Sequence, residues 1–163
     1  MSTITIDAAR MGVDKPAGLV LMEAIAAGEM SPPPAALLLG LEVDEVAEGR
    51  ITFAFVADER FSNYATTHGG ILAAVADFAI STAVITQQPA GADVVTTNLA
   101  ITYLRPVPLG ARYRCEGRVL HRGRTLVHAE AVLTDAEGRE LVRATASCHV
   151  RAPAPAPDQL RAT

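Results

Sequence analysis

Asp77 is the only ionisable side chain between Gly69 and Ala92. Its neighbours are Ile, Leu, Val, Ala and Phe, with a few hydroxyls and amides. Leaving a carboxylate unpaired in such surroundings costs several kcal/mol, so a chain that keeps one there pairs it or uses it. A carboxylate in use takes a proton or attacks an electrophile. Just upstream stand Gly69 and Gly70. At the start of a helix their amides have no intrahelical acceptor, and no side chain blocks approach to them. Helped by the helix dipole, such amides suit a developing negative charge, as on a carbonyl under attack; the plainer reading of two glycines is a tight turn. His68 precedes them. Nine residues of helix put His68 and Asp77 about 13.5 Å and half a turn apart, so they form no dyad and share no metal within one helix. They do different jobs or meet partners from elsewhere.

The elements around these residues read as follows. Residues 16–29 form a short amphipathic helix opened by Pro16 and closed near Gly28. "SPPPA" at 31–35 reads as a linker or turn, since consecutive prolines do not continue a helix. "LEVDEVAEGRITFAFVA" gives two strands turning at Glu48-Gly49, with Ile51, Phe53 and Phe55 alternating onto one face. The apolar helix runs from about Gly69 to Gln87 and ends before Pro89 and Gly91. Strands follow at about 93–105, 110–121, 124–136 and 139–150, separated by "RPVPLGA", "HRGRT" and "DAEGRE". Short breaks predict a meander, hence an antiparallel sheet and the α+β class. A helix apolar on every side must be buried on nearly every side, and a sheet wrapped around one long central helix does that. The expected division is an N-terminal extension with its short helix over 1–35, a compact domain over 36–151 and a Pro/Ala-rich tail over 152–163. Residues 1–15 and the tail read as loosely ordered and extended.

The order strand pair, helix, four strands, together with "HGGILAAVADFA" and "TTNLAITYLRPV", resembles the hotdog-fold acyl-CoA thioesterases of the PaaI-like, phenylacetate-pathway type over residues 36–150. The resemblance implies hydrolysis of an acyl-CoA to a carboxylic acid and free CoA. It implies that the Gly69 amide is the oxyanion hole, that Asp77 is base or nucleophile, and that the site lies at a dimer interface, where Asp77 of one subunit faces the hole of the other. It therefore implies a homodimer or a dimer of dimers, up to a homotetramer. The family pattern N-P-x-G-T-x-H-G-G is altered to "SNYATTHGG": Asn63 is five before His68, Ser62 stands six before it where Asn is usual, and Ala65 stands where Gly is usual. Asn63 in a shifted position, or a remodelled loop, follows. Thr96 and Thr97 resemble the family's assisting hydroxyl on the next strand, against the plainer reading of β-branched strand residues.

Further substrate contacts are expected at Gly70, at Ser81, one turn after Asp77, and at Arg105 and the turn Arg122-Gly123-Arg124, where guanidinium groups would meet CoA phosphates. Ser81 also fits an ordinary back-bonded helix hydroxyl, and each Arg a solvated surface charge. Ala73, Ala74, Ala76, Ala79 and Ala83 leave room for an acyl group or simply let the helix approach the sheet.

Composition excludes several classes. The chain has 163 residues, half of them hydrophobic, and a formal charge of −4 with scattered arginines, so nucleic acid is not an expected partner. No apolar run reaches the roughly 18 residues that a membrane span needs. Cys115 and Cys148 show no paired motif, and the N-terminus lacks an export pattern, which predicts a cytoplasmic protein with reduced, buried thiols. His121, His128 and His149 lack ligand spacing, so no metal and no cofactor is expected. G-x-S-x-G and nucleotide-binding glycine motifs are missing. Hotdog hydratases place a His five after an Asp; here Asp44, Asp58, Asp77, Asp93 and Asp135 are followed at that spacing by Gly, Asn, Thr, Asn and Glu. A hydratase or a non-catalytic acyl-CoA binding module is the alternative.

Overall fold

The computed structural model describes residues 15–151. The expectations for the tail and for the segment before Lys15 fall outside them. Two short helices come first, α1 (Ala17–Ala26) and α2 (Pro34–Leu39). The strand pair β1 (Glu42–Ala47) and β2 (Arg50–Val56) follows, turning at Glu48-Gly49 as expected. A 3-10 turn (Glu59–Phe61) and a miniature hairpin of β3 (Ser62–Asn63) and β4 (Thr66–Thr67) lead into α3 (Gly69–Ile85). β5 (Asp93–Tyr103), β6 (Arg112–Arg122), β7 (Leu126–Thr134) and β8 (Glu140–Arg151) complete the chain.

The linker or turn expected at 31–35 covers only 31–33, and its last two residues belong to α2. Proline cannot continue a helix but suits its first position, where the missing N–H has no acceptor anyway, and Pro34 opens α2 in that way. Gly40 closes it in the left-handed conformation, φ 66°. α1 is tied to the body by the Gly18 amide, which donates to Gln88 O at 3.0 Å.

Six strands form one antiparallel sheet in the order β1-β2-β6-β7-β8-β5. The expected meander is therefore corrected. β6, β7 and β8 are hairpin neighbours, but β5 lies beside β8 at the far edge, and the chain crosses back through the Pro-rich segment after Tyr103 to place β6 beside β2. That is a Greek-key arrangement. Prolines at 106 and 108 supply no ladder N–H, so the segment cannot prolong β5 into a hairpin with β6.

α3 lies across the inner face of this sheet, the hotdog architecture. Every residue from Ile71 to Ile85 is buried or half-buried. Val75, Ala79, Ile80, Ala83 and Val84 are fully enclosed and meet Phe53, Phe55, Ala129, Ala131 and Ala144 in one core. The approach to β6 is close enough to require glycine: a Cβ at Gly117 would overlap the Ala79 carbonyl. Among the described residues no helix is long and apolar enough to cross a membrane.

Candidate active site

The loop before α3 is fastened on both sides. Thr67 N and Oγ1 both donate to Val107 O, at 2.9 and 3.1 Å, and His68 N donates to Phe61 O at 2.8 Å. His68 is the N-cap of α3: its extended backbone turns into the helix and its Nδ1 accepts from Gly70 N at 3.0 Å. The His68 carbonyl accepts from Ile71 N and Leu72 N, at 3.0 and 3.2 Å. Gly70 is thereby removed from the expected set of free amides, because its N–H is spent on the cap. Among the described residues Gly69 N is the first-turn donor left without an acceptor. The Gly69 carbonyl accepts from the Tyr103 hydroxyl at 2.8 Å, which ties the helix start to the end of β5. A Cβ on Gly69 would press on the Tyr103 ring at 3.2 Å.

Asp77 is half-buried, but its Oδ1 is shielded from solvent and has no hydrogen-bond partner. Buried polar atoms are normally satisfied, and an orphaned carboxylate oxygen calls for an explanation. On the sheet, the β5–β8 ladder pairs Thr96 with Cys148. The Thr96 hydroxyl and the fully buried Cys148 thiol stand 3.9 Å apart. Burial pushes the Cys148 thiol above its ordinary value; the Thr96 contact works against that shift, and the negative charge of Asp77 adds to it. The other thiol, Cys115, is pushed up to about 12 by burial alone and lies 4.0 Å from Val75 O.

The remaining candidates separate. Thr97 falls in the bulge between Thr96 and Asn98, is exposed, and donates to Ser147 O at 3.0 Å, so it does not share the inward direction of Thr96. Ser81 donates to Phe78 O at 3.3 Å, the ordinary bond of a helix hydroxyl. Asn63 is exposed in the hairpin, whose tip residue Tyr64 holds a left-handed φ of 66°.

Eight arginines have a carboxylate within salt-bridge distance: Arg50, Arg60, Arg112, Arg114, Arg118, Arg139, Arg143 and Arg151. Arg105, Arg122 and Arg124 have none among the described residues; Arg105 donates to the Glu140 carbonyl instead. They lie at opposite ends of the sheet. Arg105 follows Tyr103 on the side of the helix start. The Arg122–Arg124 turn is beside Val127, the β7 partner of Cys148, on the side of Thr96. Gly123 is required there, since a Cβ would stand 2.6 Å from Leu126 O.

Two residues of this site escaped the sequence reading. Tyr103 carries no signal in "AITYL". Cys148 reads as one more inward strand residue until β8 is aligned with β5.

The model of the thioesterase superfamily matches residues 64–142. A protein of Saccharolobus solfataricus described as a candidate esterase is 30% identical over 113 residues, 69% of this chain and 79% of the relative. Mouse acyl-coenzyme A thioesterase 13 is 30% identical over 87 residues, 53% of this chain and 61% of the relative, so the match spans about three-fifths of the mouse protein. Among solved structures, a candidate thioesterase from Ralstonia eutropha described as phenylacetic acid degradation-related superposes with a TM-score of 0.72 at 29% identity. That match covers 78% of this chain and 97% of the other.

Proposed function

This chain belongs to the thioesterase superfamily, within its PaaI-like, hotdog-fold branch, and is a thioester hydrolase; on that footing we propose that it hydrolyses acyl-CoA to a carboxylic acid and free CoA. One observation carries the reading. The structure leaves two complementary groups unsatisfied, a shielded carboxylate oxygen on Asp77 and the single unused amide at the start of α3, Gly69 N. The first suits a base or nucleophile, the second an oxyanion. The name of the mouse relative supports CoA as the thiol, and so do Arg105, Arg122 and Arg124, which among the described residues have no carboxylate partner and suit phosphate.

On the general-base route Asp77 takes a proton from water as the water oxygen bonds to the thioester carbon. The oxyanion so formed accepts from Gly69 N–H and gains from the α3 dipole. Its collapse breaks the C–S bond, and the departing CoA sulfur takes the proton back from Asp77. On the nucleophilic route Asp77 bonds to the acyl carbon, the C–S bond breaks and CoA leaves as the thiolate; water then cleaves the anhydride, giving the acid and restoring Asp77, and its proton goes to the thiolate. Both routes need this carboxylate.

Eight residues of helix hold Asp77 about 12 Å from Gly69 in one chain, too far for both to touch one carbonyl. The site is therefore shared between two copies, Asp77 from one and Gly69 from the other. The edge strand β5 is the suited contact. After Asp93 it carries no charge through Tyr103, whereas the opposite edge, β1, is protected by Glu42, Asp44 and Glu45.

Thiol release from short, long and aryl acyl-CoAs tests this. Asp77→Asn is expected to lose on the order of 10²–10⁴-fold in kcat. Gly69→Pro deletes the free amide at a position where proline suits a helix, and the extended His68 is already compatible with a following proline. Its Cβ meets the Tyr103 ring at 3.2 Å, so the ring must give by a few tenths of an ångström and thermal melting checks the fold; the folded variant is expected to lose about 10²-fold or more. Hydrolysis by Asp77→Asn at the parent rate would overturn the proposal.

A further inference from the structure

Cys148 lies against Thr96, and the charge of Asp77 adds to the upward push on its thiol. It is fully buried on the inner face of β8, directly opposite Thr96 in the ladder. Thr96 has one hydroxyl proton to give, and what it gives it to depends on its neighbour. If Thr96 donated to sulfur, nothing would be left for the reacting groups. If the thiol donates to Thr96 Oγ1, the threonine proton is free for the other side. Two features select the second arrangement. A thiol so enclosed beside a carboxylate stays protonated and keeps its S–H to give. Sulfur is also a weak acceptor, so a hydroxyl finds a better partner in a carboxylate or a water bound to it.

Resting on the acyl-CoA hydrolysis reading above, we propose that Cys148 is a positioning residue for Thr96: its S–H donates to Thr96 Oγ1 and directs the threonine proton toward the Asp77 side of the site. Thr96 then holds the water that Asp77 activates. Cys148 itself never meets substrate. Its buried thiol acts through the hydroxyl beside it: the S–H···O bond that Thr96 Oγ1 accepts orients the hydroxyl and polarises it as a donor.

The experiment is a double-mutant cycle on acyl-CoA hydrolysis: parent, Cys148→Ala, Thr96→Val and the pair together, with Asp77→Asn alongside. Cys148→Ala is expected to lower kcat about tenfold with KM nearly unchanged, the mark of a group that matters after binding. In the Thr96→Val background the same change is expected to cost nothing further. Cys148→Ser keeps a donor and is expected to retain more of kcat than Cys148→Ala; it serves also if the alanine variant fails to fold, which thermal melting checks. Parent-like kcat in Cys148→Ala, losses that multiply in the double variant, or a serine variant no better than alanine would each overturn the proposal. An Asp77→Asn protein as active as the parent would instead overturn the reading on which it rests.

Discussion

His68 stands where a catalytic imidazole would be suspected, yet its geometry is that of a helix cap. Nδ1 accepts from Gly70 N, so the ring carries its proton on Nε2. The cap consumes one amide of the first turn and leaves its neighbour, Gly69 N, free. A residue that only caps can be replaced by another acceptor. His68→Ala is expected to lose about 1 kcal/mol of stability, a drop of about 2–4 °C in Tm for a chain of this size. His68→Asn is expected to melt close to the parent and to hydrolyse within severalfold of it. Asparagine melting like the parent but without activity would give the imidazole a chemical part as well.

The turn joining β7 to β8 shows how an element is held by one carboxylate. Asp135 accepts from Glu137 N, Arg139 N and the Arg139 guanidinium, at 3.1, 2.8 and 2.7 Å. Burial works to raise the Asp135 carboxyl, but the bonds from Arg139 and Glu137 outweigh it and hold it below its ordinary value. Because the folded value lies below the unfolded one, the stability it contributes is complete above the unfolded value and is lost as pH falls through the folded one. The Tm difference between the parent and Asp135→Asn is therefore expected to stay constant from about pH 7 to about pH 5 and to shrink below about pH 4. A difference that does not change with pH would show that the turn depends on hydrogen bonding and not on charge.

At the scale of the molecule, the proposed sharing of the site has a consequence that no single-chain mechanism reproduces. Gly69→Pro and Asp77→Asn each leave one half of every site intact. In a mixed dimer one site carries both lesions and the other carries neither. Co-expression of the two dead variants is expected to restore about a quarter of parental activity, since half of randomly paired dimers are mixed and each has one sound site of two. Two variants that stay dead when mixed, while demonstrably exchanging subunits, would place the whole reaction within one chain. The sheet edges bear on the same point. A long uncharged edge strand invites a partner, and β5 has one bulge and no charged side chain between Val94 and Tyr103.

Local pattern determined much of this protein. α3 was legible because its alanine content favours helix, because a histidine and two glycines mark its start, and because Pro89 and Gly91 stop it. Asp77 stood out for a reason that needs no fold: a charge without company in an apolar stretch. The strands were legible from their alternation and turn residues. α2 was not, because a run of prolines reads equally as an extended segment and as a helix start, and only the burial of Ala36 and Leu39 decides. Strand order was decided by tertiary structure alone, since alternation says that a residue faces inward but not which strand lies beside it. That order sets β5 against β8 and so joins Thr96 to Cys148, 52 positions apart in the chain. The same holds for the arginines. Their charge is written in the sequence, but which of them keep a free guanidinium depends on carboxylates delivered by distant strands, as Glu42 is to Arg112 and Glu130 to Arg143.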